Sequence, residues 1–228
     1  IEGFYAVSPG FAERVARTGL VSVTGALPNP IDVEYFSITG RPAKEDCRLR
    51  LITVGLSHRK GTDILFEALR SLSTDLDWSL VAVGKLLDSC CYDSWLDHPA
   101  VAGRVQFRGL VSQAELARLY RSSDVYVVSS RVETANVSML EAMACGCVVV
   151  TTRCGAPETL IDKSVGLTVA SGDPKELADA IRMVSDRFGE FDPQSLYNFV
   201  KSRYSKQTVG RRILEAYKQA ISSFHRPG

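Results

Sequence analysis

Apolar positions along the chain gather into short runs that alternate with stretches of helical spacing. Residues 50–56 (Arg-Leu-Ile-Thr-Val-Gly-Leu) predict a strand. Lys60 to Ser71 follows as a helix, with Ile64, Leu65, Ala68, Leu69 and then Leu72 on one face. Trp78 to Gly84 predicts a second strand and Arg104 to Arg108, closed by Gly109, a third. Gln113 to Ser122 predicts a short helix, with Leu116, Leu119 and Tyr120 inward. Val125–Val128 and Cys147–Thr151 are near-continuous apolar runs, as expected when helices cover both faces of a parallel sheet. Between them runs a helix carrying Glu141. Gly166–Ala170 is a weaker sixth strand, and Asp173-Pro174 has the cap-then-proline order that starts a helix. The alternation predicts an α/β fold with a Rossmann-like, doubly wound parallel sheet of about six strands.

The two ends depart from that rhythm. Residues 1–38 hold an amphipathic helix (Pro9 to Thr18), a short strand, and Pro28-Asn29-Pro30 as a sharp turn before Ile31 to Phe36. Asp192 to Phe224 is helical, with Leu196, Phe199, Val200, Val209, Ile213, Leu214 and Tyr217 as its apolar stripe. The expected organisation is a preceding domain's tail plus linker over 1–38, a ligand-binding domain over 39–190, and carboxyl-terminal helices over 191–228. The alternative makes both ends packing elements of one domain.

Composition changes little. The 228 residues are 45% hydrophobic and 23% charged, enough to bury a core without staples. A net charge of +1 gives no footing for nucleic acid. No apolar run reaches the roughly 20 residues of a membrane span, and no signal peptide is visible, so the expected setting is cytoplasmic. The first residue is Ile1 rather than Met, which suggests a fragment or processed product. Six cysteines form no C-x-x-C pair, three histidines stand alone, and no metal site is expected. Cys90, Cys91, Cys145, Cys147 and Cys154 are expected, with the remaining cysteine, to be reduced, buried thiols.

Three loops follow strands of one sheet, and ligands bind outside the carboxyl ends of such strands. The first, Gly55-Leu-Ser-His-Arg59-Lys60-Gly61, sets two cations at a helix start. By itself it reads more readily as a solvated basic turn. The second is Gly109-Leu110-Val111-Ser112. The third runs from Ser129 to Asn136 and opens Glu133-Thr-Ala-Asn-Val-Ser-Met-Leu-Glu141. If Asn136 caps the helix, Val137 and Ser138 offer unpaired amides to a phosphate. Glu141 then lies ~7 Å further along the axis, and its carboxylate leans back toward the mouth, a spacing that suits a ribose. Glu133 can accept from sugar hydroxyls. The competing reading leaves Glu133 a solvated loop residue and Glu141 a surface helix residue. There is no P-loop and no strand-linked G-x-G-x-x-G.

Taken together, these residues resemble the retaining glycosyltransferases of the GT-B fold, of the group 1 or family 4 type. The family's E-x7-E matches Glu133 to Glu141, followed by Ala-Met-Ala-Cys-Gly. Its V-G…K-G matches Val54-Gly55…Lys60-Gly61, and further matches fall at Phe107–Val111, Ser123–Ser129, Cys154–Glu158 and Gly166–Asp173. Val7-Ser8 and Pro28–Phe36 resemble the end of the family's first domain and its interdomain link. The resemblance implies the carboxyl-terminal, donor-binding half of a two-domain enzyme that transfers a hexosyl group from a nucleotide-diphosphate sugar, UDP or GDP type, without metal or other cofactor. It implies Lys60 on the diphosphate and Glu133 on the transferred sugar as catalytic residues. Gly55, Arg59, Thr134, Ala135, Asn136, Val137 and Glu141 would surround the donor, with Leu110 and Val111 near the base.

The acceptor, whether sugar, lipid or glycan, would engage an amino-terminal domain, and peripheral membrane contact of the full-length protein stays open. The last helix would cross back to that domain, exposing apolar residues near Tyr217 and Phe224. Two positions depart from the family pattern. Leu56 stands where an arginine is usual, with Arg59 as its candidate replacement, and Thr134-Ala135-Asn136 replaces Gly-Phe-Gly. The other classes considered are a GT-B sugar-nucleotide 2-epimerase and a non-catalytic nucleotide-sugar-binding module.

Overall fold

The computed structural model describes residues 4–72, 76–86 and 97–224. Strands β1 (Phe4–Ala6) and β2 (Val23–Ala26) pair in parallel, joined by helix α1 (Pro9–Ala16). The main sheet holds β3 (Leu49–Leu56), β4 (Trp78–Leu86), β5 (Val105–Phe107), β6 (Val125–Val128), β7 (Val148–Thr152) and β8 (Gly166–Val169). All are parallel, in the order β5-β4-β3-β6-β7-β8. Around it lie α2 (Thr62–Leu72), α3 (Gln113–Arg121), α4 (Val137–Ala144), α5 (Pro157–Leu160), α6 (Pro174–Asp186), α7 (Pro193–Tyr204) and α8 (Lys206–Phe224). Every residue of β6 and β7 is buried, which is why Val125–Val128 and Val148–Val150 read as apolar runs. Successive strands step outward from β3 in one direction and from β6 in the other. The direction of winding reverses between those neighbours, the place where open parallel sheets offer a ligand crevice at the carboxyl ends of their strands.

Side-chain caps start the helices where the sequence places them. Asp173 accepts from the amides of Lys175 and Glu176 ahead of Pro174, and Asp192 does the same for Gln194 and Ser195 ahead of Pro193. Among the described residues, no helix is long and apolar enough to cross a membrane.

Several expected boundaries move for local reasons. Helix α2 begins at Thr62 rather than Lys60. Gly61 has φ +64° and donates to the His58 carbonyl, while the Thr62 hydroxyl donates to the Ser57 carbonyl and accepts from the Ser57 amide. Lys60 therefore sits in a turn. Cys147 is not part of β7, because its amide donates to Ala142 and closes the end of α4. The helical stretch expected over 192–224 breaks at Ser205, whose extended backbone pairs with Ile31. Cys145, Cys147 and Cys154 are buried, and burial pushes each thiol up to about 12. Cys47, in a polar stretch between Asp46 and Arg48, is exposed, against the expectation for it. Cys90 and Cys91 lie outside the described residues.

Residues 31–46 cross the amino edge of the sheet as a strap. Ile31, Val33 and Phe36 are buried in the main core. The Arg41 guanidinium donates to the carbonyls of Arg121 and Cys145, both at 3.1 Å, where α3 and α4 end. Lys44 Nζ lies 2.6 Å from buried Asp124, which also accepts from the Arg50 amide at 2.9 Å.

Candidate functional site

The two loops that flank the reversal point are laced together through main chain. The Arg131 amide donates to the Arg59 carbonyl at 3.0 Å, and the Ser129 hydroxyl to the Lys60 carbonyl at 2.9 Å. The Arg131 guanidinium reaches the His58 carbonyl at 2.6 Å and grips Asp63, in the first turn of α2, at 2.7 and 2.5 Å. That contact holds the Asp63 carboxyl below the ordinary carboxylate range. The loops approach so closely at Gly61 that a Cβ there would stand 1.9 Å from the Ser129 carbonyl oxygen. Only glycine fits.

Within this frame Glu133 is 6% exposed, which overturns its reading as a solvated loop residue. Its Oε1 takes the Lys60 ammonium at 2.5 Å and the Ser130 hydroxyl at 2.9 Å. Its amide donates to the Cys154 carbonyl at 2.9 Å. The stem of Lys60 lies over Gly55, where a Cβ would meet Lys60 Cε at 3.1 Å. Arg59 is mostly exposed and donates to the Val132 carbonyl, with Nη1 3.8 Å from Glu133 Oε2. Two cations thus converge on one buried carboxylate, and an incoming anion would meet both.

Beyond Glu133 the chain reaches Thr134 and Ala135 and turns into α4 at Asn136, which has φ 61°. Asparagine tolerates this left-handed conformation better than most residues, and its Oδ1 caps the Met139 amide at 3.1 Å. Val137 and Ser138, the first two helical residues, keep the unpaired amides expected of a helix start. Glu141 lies one turn inside and is partly buried; burial raises its carboxyl above the usual range, and the nearby Tyr120 hydroxyl opposes that rise. Tyr126, on β6 beneath, stays protonated far above the tyrosine range because it is buried and because Glu133 adds repulsion.

Leu110 and Val111 share the same sheet edge, following β5 rather than β6. Leu110 is 84% exposed, and Val111 packs partly on the core. The Gly84 amide donates to the Gly109 carbonyl at 2.7 Å and ties this loop to the end of β4. The sequence reading missed Ser130 and the Arg131–Asp63 clamp. Asp63 in a first helical turn and Arg131 two residues before the glutamate were the available signals. Clefts of about 540 and 470 Å³ lie under the strap at the opposite edge, lined in part by Arg50, Ser122 and Pro42. They share no residue with the Lys60–Glu133 cluster.

Comparison with known proteins decides the family. The profile of the glycosyl transferases group 1 matches residues 48–186. The chain belongs to the group 1 glycosyltransferases. Among relatives, a phosphatidylinositol N-acetylglucosaminyltransferase component of Arabidopsis thaliana is 26% identical over 215 residues, covering 93% of this chain and 48% of its own length. D-inositol 3-phosphate glycosyltransferase of Paenarthrobacter aurescens is 28% identical over 247 residues, covering 97% of this chain and 60% of its own length. The chain spans about half the length of the curated relatives it matches.

Solved structures repeat the fold. A glycosyltransferase from Rickettsia africae gives a TM-score of 0.82 at 18% identity, over 95% of this chain and 63% of the other. Anabaena HepE in complex with UDP and glucose gives 0.78 at 19% identity, over 94% and 62%. The chain thus shares the fold of these structures.

Proposed function

We propose that this chain is the nucleotide-sugar-binding part of a retaining, family 4 type hexosyltransferase. The observation that carries the reading is the position of Lys60 on buried Glu133, beside the open amides of α4, at the reversal point of the sheet. A diphosphate fits there because cation, helix dipole and free amides act in one direction. Lys60, with Arg59 beside it, binds the diphosphate and steadies the charge that develops as it departs, so no metal is needed. Glu133 accepts from the transferred sugar, Glu141 from the ribose, and the amides of Ala135 to Val137 donate to phosphate and sugar. Gly55 gives the Lys60 stem its slot, Thr134 to Asn136 shape the sugar subsite, and Leu110 and Val111 border the base.

The donor is a UDP- or GDP-sugar; UDP in the Anabaena neighbour favours the first. Residues 39–190 form the donor domain and 1–38 the tail and link of an acceptor domain. Within 191–228 the last helix crosses back. Leu214 and Tyr217 support that division: they line α8 at 60% and 66% exposure, an apolar face that a neighbouring domain would cover. The acceptor binds to that other domain, and the setting is cytoplasmic. Membership in the group 1 family favours transfer over epimerisation and over non-catalytic binding.

Calorimetric titration with UDP and GDP tests the site. Lys60→Ala and Glu141→Ala should each weaken the preferred diphosphate at least tenfold, about 1.4 kcal/mol. Unchanged affinity in both variants would remove the assignment, and robust transfer by this chain alone would remove the two-domain division.

A further inference from the structure

Helix α1 belongs to the β1–β2 unit rather than to the six-stranded sheet, yet it holds the loop that carries Glu133. The Ser8 hydroxyl is fully buried. It accepts from the Phe11 amide as the cap of α1 and donates to the Thr134 carbonyl at 2.7 Å. One turn on, Arg14 Nη1 donates to the Glu133 carbonyl at 3.3 Å, with its guanidinium 5.7 Å from the Phe11 ring centroid. The fit is built for closeness. A Cβ on Gly10 would stand 2.1 Å from the Gly155 carbonyl oxygen, and a Cβ on Gly155, at φ +110°, would stand 2.3 Å from Arg14 Nη1. Two consecutive carbonyls of the loop are therefore fixed from one side.

A trans peptide points its carbonyl and the following N–H in opposite directions, and no peptide among the described residues is cis. Holding the carbonyls of Glu133 and Thr134 on α1 turns the amides of Thr134 and Ala135 away from it. We propose that Ser8 and Arg14 are positioning residues that aim these two amides at the distal phosphate and sugar of the donor, an inference that rests on the nucleotide-sugar reading above. The β1–β2 unit thereby sets the shape of the donor loop. If that unit shifts on the sheet, both carbonyls are released together.

The test uses Ser8→Asp, which keeps a cap acceptor but has no proton to donate, and Arg14→Met, with Arg14→Lys as the conservative control. Each is titrated with UDP, GDP, UMP and GMP. Ser8→Asp and Arg14→Met should lose at least fivefold in diphosphate affinity and keep monophosphate affinity within twofold, with Arg14→Lys recovering part of the loss. Diphosphate affinity within twofold of wild type, or an equal fall for mono- and diphosphates, would overturn the proposal. Hydrogen exchange at the Glu133 amide in the ligand-free protein is an independent readout. It should quicken in both variants while α4 keeps its protection, and an unchanged rate overturns the proposal. A wild-type chain that binds no diphosphate would instead fail the nucleotide-sugar reading, and the exchange result would still decide whether α1 holds the loop.

Discussion

Lys60 Nζ stands 2.5 Å from Glu133 Oε1, closing 73 positions of sequence into one ion pair. The carboxylate is nearly sealed while the ammonium keeps a path to water, with side-chain exposures of 7% and 21%. An anion arriving at α4 would compete with Glu133 for Lys60, so the pair would oppose such binding as well as prepare it.

That asymmetry fixes the outcome of a double-mutant cycle. Lys60→Met strands a buried carboxylate with only Ser130 and the more distant Arg59, and should cost about 1.5–3 kcal/mol in urea unfolding. Glu133→Gln alone should cost less, because Lys60 can turn outward. The double variant should recover about 1 kcal/mol relative to the sum. Strict additivity would show that the two side chains are not coupled in solution.

Gly61→Ala places a methyl group where the Ser129 carbonyl already is, on a backbone at φ +64°. Left-handed strain and the forced separation of the loops should together remove roughly 2–4 kcal/mol of stability. Thermal unfolding measures this directly. A variant as stable as wild type would mean that the loops part easily.

The raised Glu141 carboxyl has a definite sign in a pH series. Burial favours its neutral form, so between the ordinary glutamate value and the raised one the unfolded chain loses its proton first. The Glu141 contribution to stability falls as pH rises through that window. Glu141→Gln should therefore be more stable than wild type near pH 7, and the advantage should vanish below the ordinary glutamate value. It should also weaken donor binding. Urea unfolding at pH 7 and pH 4 checks the first claim, and parallel curves with a constant gap would refute it.

The sheet was legible because β6 and β7 are buried on both faces and so favour apolar residues, with Thr151 and Thr152 satisfied by donating to carbonyls. Glu133 and Glu141 were legible because an eight-residue interval on a loop and helix start has few bland uses. Cation placement was half legible: Lys60 and Arg59 were visible as charges, but their convergence on Glu133 depends on Gly61 letting two loops touch. Ser8 and Arg14 were not legible as contacts of the Glu133–Thr134 loop. They act on carbonyls, and no side-chain pattern advertises which carbonyl a distant helix will reach. The break at Ser205 was hidden for a similar reason, since its cause is Ile31, far away in sequence.

Strands β3 and β6 are fastened at both ends. Asp124, Lys44 and the Arg50 amide bind them at the amino edge, and the Arg131–Asp63 pair with the Gly61–Ser129 contact binds them at the carboxyl edge. The width of the crevice is therefore a constant of the framework rather than something a ligand adjusts by prising strands apart. The side chains outside these fastenings lie chiefly on Leu56 to Arg59 and Thr134 to Asn136. The two departures noted in the sequence, Leu56 and Thr134 to Asn136, fall there. A scaffold with fixed jaws and replaceable facing could change what it grips through a few loop substitutions while its folding stays untouched.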